Sequence, residues 1–265
     1  MNIAVINNKG GTGKTTTCVS LAAALARTGC RVLIVDLDAQ ASASLSLGIH
    51  YNALAPSMTE VLFEAFPIME AVRSTLQPNL DLLTGGMEMA SSDLILSEVP
   101  GRENVLRNAL QDLTIAYDYV LFDCPPSLSM ISINALVAAD AYIIPVTAEY
   151  LALEGLISMM QAMEAVKNGM DIQRELLGII FTMVIPGLKF GQEIVRLVRE
   201  EYGRKVFKTE IRRNVRLTEA PSFGKSIFQY DPRSLGAKDY NAFAAEVLER
   251  GGHQGQQRRE KGKNS

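Results

Sequence analysis

The run Lys9-Gly10-Gly11-Thr12-Gly13-Lys14-Thr15-Thr16 places three glycines, two lysines and three hydroxyls within eight residues. That composition is suited to phosphate. Glycines let backbone N–H groups converge on phosphate oxygens, and a helix beginning at the end of the loop adds its positive pole. In this arrangement Lys14 reaches the terminal phosphates of a nucleoside triphosphate, and the Thr15 hydroxyl takes a place on Mg²⁺. The surroundings match: the apolar run Ile3 to Ile6 precedes the loop and an alanine-rich helical pattern, Thr17 to Arg27, follows it. Asp36 and Asp38 leave a second apolar run, and Asp123 ends a third, Val120-Leu121-Phe122. Carboxylates at the C-terminal ends of parallel strands beside a phosphate loop are where Mg²⁺ and an attacking water are needed. A chance glycine-rich turn and ordinary surface acids are the plainer readings. The joint presence of strand, helix, lysine and threonine weighs against them.

The loop departs from the usual phosphate-loop pattern, since Asn8 stands where a glycine is expected and a second lysine, Lys9, opens the run. In this it resembles the deviant Walker A motif of the ParA/MinD superfamily of P-loop ATPases, with Lys9 as the signature lysine. The resemblance implies that Lys9 crosses a dimer interface to touch the phosphates of the partner's ATP. Two nucleotides brought face to face concentrate negative charge, and a cation supplied in trans offsets it. A solvated loop lysine is the alternative. Asp36-Leu37-Asp38-Ala39-Gln40 resembles the family's switch I motif, Asp-x-Asp-Pro-Gln-Gly-Asn, with Ala39, Ala41 and Ser42 in place of Pro, Gly and Asn. By that resemblance Asp36 supports the Mg²⁺ shell and Asp38 positions or activates the hydrolytic water. Asp123 takes the Walker B place near Mg²⁺, and Cys124-Pro125-Pro126-Ser127 looks like the switch II turn. The segment Glu210 to Lys225 resembles the ParA/Soj signature Pro-Arg-Asn-Val-Arg-Leu-Ser-Glu-Ala-Pro-Ser, which implies that Arg213 and Asn214 contact the adenine. Arg212 replaces that signature's proline. Phe181-Thr182-Met183 matches the family's Thr-Met, but the apolar stretch Val184 to Phe190 follows in place of Tyr-Asp-x-Arg.

These residues need strands and helices to hold them. Apolar runs predict strands at Ile3–Ile6, Arg31–Val35, Leu80–Leu83, Tyr119–Phe122, Ala141–Val146, Leu176–Thr182 and Val206–Phe207. Helical patterns fall at Thr15–Arg27, Ser57–Phe66, Asn104–Leu113, Ile131–Ala138, Leu153–Lys167, Gln192–Tyr202 and Ala237–Arg250. Ser57 with Glu60 reads as a capping box, and Gly29 marks a helix end. Nearly continuous apolar strands alternating with helices predict an α/β fold: a doubly wound, mostly parallel sheet with helices on both faces. Residues 1–251 are read as one P-loop ATPase domain, and residues 252–265 as a polar, structureless tail.

Composition narrows the classes. With 265 residues and 48% hydrophobic content, the chain has material for one sizeable core. No apolar run reaches membrane-spanning length and no charged leader precedes the first strand, so the expectation is cytoplasmic. Three cysteines, Cys18, Cys30 and Cys124, make no CxxC, and Cys124 lacks a second cysteine suited to an iron–sulfur cluster. Two histidines cannot build a His-based zinc site.

The net charge of −3 hides an asymmetry: from Lys189 to Arg233 eleven Lys/Arg face six Asp/Glu, an excess of +5. Family members bind DNA without sequence preference as ATP-bound dimers, through basic residues of this region. Lys189, Arg196, Arg199, Arg212, Arg216 and Lys225 are the candidates here; the bland reading is a set of solvated helix faces. The resemblance implies a homodimer with ATP, non-specific double-stranded DNA and a ParB-type partner that carries a basic arm and stimulates hydrolysis. It implies a nucleoid-associated role in chromosome or plasmid partitioning. Two alternatives stay open: a positioning ATPase for a protein cargo such as a chemoreceptor cluster or microcompartment, and a MinD-like regulator at a membrane. The tail from His253 has no apolar residue with which to build a membrane-binding helix, which counts against the second.

Overall fold

A computed structural model describes residues 1–111, 113, 116–170 and 174–261. Eight strands form one sheet: β1 (Asn2–Val5), β2 (Val32–Asp36), β3 (Arg73–Ser74), β4 (Leu80–Leu83), β5 (Tyr119–Asp123), β6 (Ala141–Thr147), β7 (Glu175–Val184) and β8 (Val206–Arg212). Their spatial order is β3-β4-β2-β5-β1-β6-β7-β8. Every pairing is parallel except that of β3 with β4. Among the described residues twelve α-helices accompany them: α1 (Lys14–Arg27), α2 (Ser42–Ser46), α3 (Met58–Phe63), α4 (Ile68–Ala71), α5 (Ser92–Leu96), α6 (Val105–Ala109), α7 (Met130–Ala138), α8 (Tyr150–Met170), α9 (Lys189–Tyr202), α10 (Val215–Glu219), α11 (Ile227–Tyr230) and α12 (Leu235–Lys261).

Period-two alternation along the strands builds two cores. On β1, Ile3 and Val5 join one cluster with Leu21 and Leu25 of α1 and with Tyr240, Phe243 and Val247 of α12. Ala4, on the opposite face, joins Leu136 of α7, Met159 and Met163 of α8, and Ile194 and Val198 of α9. Both faces are covered, which is why central strands such as Val32–Asp36 are buried throughout. The doubly wound expectation holds. Among the described residues no helix is long and apolar enough to cross a membrane.

Several boundaries differ from the sequence expectation. The β8 strand runs to Arg212 rather than ending at Phe207, and its polar middle hides it in the sequence. It lies at the edge of the sheet, where the N–H groups of Lys208 and Thr209 donate to the Glu246 carboxylate of α12 at 2.9 and 3.1 Å. An acid from a helix thus occupies the place of a neighbouring strand. The helix expected over Asn104–Leu113 is shorter, Val105–Ala109, with Asp112 outside the described residues. The α12 helix runs from Leu235 to Lys261. Gly29 follows the Thr28 cap with φ 95°, and the Ser57–Glu60 capping box forms as read.

Candidate nucleotide site

The loop between β1 and α1 rests at the C-terminal edge of the sheet, beside the point where successive connections diverge. Open α/β sheets bind ligands in that crevice. Gly11 and Gly13 hold φ at 72° and 80°, a left-handed backbone that side chains rarely adopt. Gly13 caps α1, so the helix's unpaired N–H groups face the loop. Two side chains pin the loop from behind. Thr182 Oγ1 donates to the Thr12 carbonyl at 2.8 Å, and Asn7 Nδ2 donates to the Pro145 carbonyl at 2.7 Å while its Oδ1 accepts from the Lys9 N–H at 3.0 Å.

Lys14 is buried, and its ammonium donates to the Lys9 carbonyl at 2.8 Å. Burial lowers its pKa, opposed by the charges of Asp123, Cys124 and Asp38. A desolvated ammonium in this position is held ready for an anion. The Lys9 side chain lies back over α8, so a Cβ added at Gly155 would stand 2.9 Å from Lys9 Nζ. Gly10 is exposed, and Thr15 and Thr16 are half-buried at the first turn of α1.

The register places the acids. Val5 pairs with Asp123 and Asp123 with Asp36, so three adjacent strands end level with the loop. Asp36 is fully buried and accepts from the Ser44 N–H at 2.9 Å, the Ser44 hydroxyl at 2.7 Å and the Asp38 N–H at 3.2 Å. Burial pushes its pKa up to about 6, against the pull of those hydrogen bonds. Asp38 is partly exposed and accepts from the Gln40 N–H at 3.0 Å.

Asp123 differs. It is fully buried, and among the described residues neither oxygen has a hydrogen-bond partner of normal geometry. Burial and the neighbouring Asp36 charge raise its pKa well above the carboxylate range; the Thr15 hydroxyl and the Lys14 ammonium pull the other way. Orphaned buried carboxylate oxygens are costly unless a cation completes them. The donor set fits a hard cation held by one or two carboxylates, a hydroxyl, water and phosphate. Among the described residues no cluster of three or more His, Cys, Asp or Glu forms an all-protein cage.

Beside the loop opens a cavity of about 560 Å³, between α1 and the segment that follows β8. Gly13, Thr16 and Thr182 line its phosphate-loop end; Met183, Ile185, Arg213, Asn214 and Pro221 line the other, with Tyr240 also in its wall. The second set offers apolar faces and amide groups that suit a heteroaromatic base. Asn214 Oδ1 caps α10 through the Arg216 N–H at 2.9 Å.

Residues 1–176 match the model of the AAA domain family AAA_31. The chain is 43% identical to the chromosome-partitioning ATPase Soj of Thermus thermophilus over 94% of its own length and 95% of the relative's. It is 38% identical to the chromosome partitioning protein ParA of Caulobacter vibrioides, covering 94% of each chain. This chain belongs to the ParA/Soj family of partitioning ATPases. Its fold also superimposes on cobyrinic acid a,c-diamide synthase from Mycobacterium smegmatis, solved with bound ATP analogue and magnesium, with a TM-score of 0.81, 32% identity and 93% coverage of both chains.

Most of the basic residues singled out in the sequence are occupied with carboxylates. Arg196 is bound on both sides within α9, to Glu193 and Glu200. Arg199 pairs with Glu210 at 3.0 Å, and Arg216 with Glu219 at 2.8 Å and Asp231 at 3.5 Å. Arg212, grouped with the DNA candidates in the sequence, directs its guanidinium at Asp239 of α12. Lys189 and Lys225 are exposed. The sequence reading missed Ser44, Gly155, Asp239 and Tyr240, all in or behind the site. Nothing in their local pattern marks them, since each acts across a tertiary contact.

Proposed function

We propose that this ParA/Soj-family chain binds Mg²⁺ and ATP in the cavity beside the loop and hydrolyses the terminal phosphate slowly. Its ATP-bound form is a face-to-face homodimer that holds DNA without sequence preference and lets go after hydrolysis. A ParB-type partner accelerates that step, and the cycle moves a partition complex over the nucleoid. The observation that carries the reading is the buried, unpartnered Asp123 carboxylate beside Thr15 and Lys14, level with Asp36 at the crevice of the sheet.

Gly10 to Thr16 cradle the phosphates with backbone N–H groups, and Lys14 sets its charge against their terminal oxygens. Thr15, Asp36 and Asp123 would hold Mg²⁺, which when bound would supply neutralisation of the phosphate charge. Asp38, the most solvent-accessible of the three acids, holds the attacking water. Lys9 leaves Gly155 to reach the partner's nucleotide, and Arg213 with Asn214 lines the base. The exposed cations Lys189 and Lys225, with Arg196, Arg199 and Arg216 once released from their acids, form the DNA surface.

The test is DNA retention as a function of nucleotide, at two salt concentrations, for wild type, Lys14→Ala, Asp38→Ala and the double variant Arg196→Ala/Arg199→Ala. The reading expects binding only with ATP, persistent binding by Asp38→Ala, none by Lys14→Ala, and weaker, less salt-sensitive binding by the double variant. ATP-driven dimers that retain no DNA in any variant would overturn the partitioning role.

A further inference from the structure

The segment that lines the base end of the cavity follows an edge strand, so no further strand steadies its backbone. Arg213 N–H donates to the Val184 carbonyl at 2.9 Å on the β7 side. On the open side, among the described residues, the tether is an acid of α12. Asp239 of α12 accepts from the Arg212 backbone N–H at 3.0 Å and from the same residue's Nε at 3.0 Å, with Nη2 completing the fork. One carboxylate thus fixes both the main chain and the guanidinium of Arg212, and its side chain is only 9% exposed. Charge-assisted, forked bonds of this kind fix orientation as well as position.

The next residue of the same helix grips the opposite wall. Tyr240 hydroxyl lies 3.1 Å from Thr17 Oγ1, one turn into α1, in a buried contact. Adjacent positions of α12 therefore tie the phosphate helix and the base segment together, and set the span between Gly13 and Asn214.

We infer that Asp239 is a positioning residue for nucleotide selection: through Arg212 it holds the Arg213-Asn214 backbone at the distance a purine requires from the phosphate loop. The inference rests on the nucleotide reading of this cavity. It assigns the Asp239–Arg212 pair the stiffening that proline provides at the same place in the signature the segment resembles. Affinity for the purine end depends on the pair, and affinity for the phosphate end does not.

The experiment uses the full chain with Mg²⁺ and measures affinity for ATP, ADP and inorganic tripolyphosphate, with steady-state KM and kcat. Asp239→Ala is expected to weaken ATP and ADP about tenfold, the loss of one charge-assisted anchor. Tripolyphosphate affinity should stay within about twofold, and KM should rise with little change in kcat. Asp239→Asn, which keeps the shape, should lose less. Arg212→Pro placed on Asp239→Ala should recover most of the ATP affinity. Equal losses for ATP and tripolyphosphate would mean general loosening of the fold and would overturn the inference, as would unchanged ATP affinity in Asp239→Ala. Wild type that binds tripolyphosphate but no nucleotide would instead bring down the nucleotide reading, and this inference with it.

Discussion

Gly155 is the floor on which the Lys9 side chain lies. A methyl group there would press on the Cδ and Nζ atoms of Lys9, both 2.9 Å from the ideal Cβ position. The nearest atoms in the way are the far end of a flexible lysine, which can move aside, so the fold itself loses little. Alanine also favours an α-helix over glycine by ~1 kcal/mol. Gly155→Ala is therefore expected to keep or slightly raise the melting temperature while driving Lys9 off α8. With its resting place on Gly155 gone, Lys9 leaves α8 more readily for the trans contact proposed above, and ATP-dependent dimers should form at severalfold lower protein concentration. Sedimentation of the variant with a non-hydrolysable ATP analogue measures this; dimerisation at the wild-type concentration would dissociate the Gly155 contact from assembly.

Ala41 carries a second local tension. It precedes α2 with φ 49° and ψ 37°, where the resembling switch I motif has glycine, and it is fully buried. Left-handed backbone costs a non-glycine residue ~1–2 kcal/mol. Replacing a buried alanine by glycine ordinarily destabilises by ~1 kcal/mol through unfolded-state entropy and lost contact. Here the two effects oppose, so Ala41→Gly should be neutral or stabilising by up to ~1 kcal/mol in urea titration. A loss of more than ~1 kcal/mol would show that the Ala41 methyl packs to greater effect than its strain costs.

What the sequence disclosed follows from how local each feature is. The cradle was legible because glycine at positive φ, a following helix and a lysine–threonine pair all lie within eight residues, Lys9 to Thr16. Central strands were legible because burial on both faces leaves unbroken apolar runs. The edge strand β8 was not, since Lys208, Thr209 and Glu210 are polar and its pairing is completed by Glu246 from a helix 37 and 38 residues along the chain. Arg212 looked like one more cation in a basic segment. Its partner, Asp239, lies 27 residues away and only the fold brings it near. Side-chain charge can be counted in a sequence, but whether that charge is already satisfied cannot.

Glu246 makes an acid-sensitive joint between α12 and the edge of the sheet. Burial works to raise its pKa, but the N–H groups of Lys208 and Thr209 and the Arg250 guanidinium outweigh burial and hold it below the usual glutamate range. A folded pKa below the unfolded value of about 4.3 means the contribution is present above that pH and fades as pH falls through the folded value. Glu246→Gln should cost ~1–2 kcal/mol at pH 7, the low end if solvent screens the pair. The gap between variant and wild type should narrow steadily below about pH 4. Urea unfolding at pH 7 and in the acid range checks it, and a gap independent of pH would assign the cost to packing.

The acids on α9 bear on the strength of the DNA binding proposed above. Arg196 reaches Glu193 through Nη2 at 2.6 Å and Glu200 through Nη1, all on the exposed face of one helix. Two carboxylates on one guanidinium leave the local charge negative, so a DNA phosphate must compete with both. Removing the arginine discards a cation that DNA recruits only once it leaves its acids; removing the acids exposes it at once. Glu193→Gln/Glu200→Gln is expected to strengthen ATP-dependent, non-specific DNA binding severalfold at low salt and steepen its salt dependence by about one unit in the log–log slope. Neither residue touches the nucleotide cavity, so ATP affinity should not move. Filter binding across a salt series provides the slope. An unchanged slope would place the DNA away from Arg196, and would leave Lys189 and Lys225 as the residues to vary next.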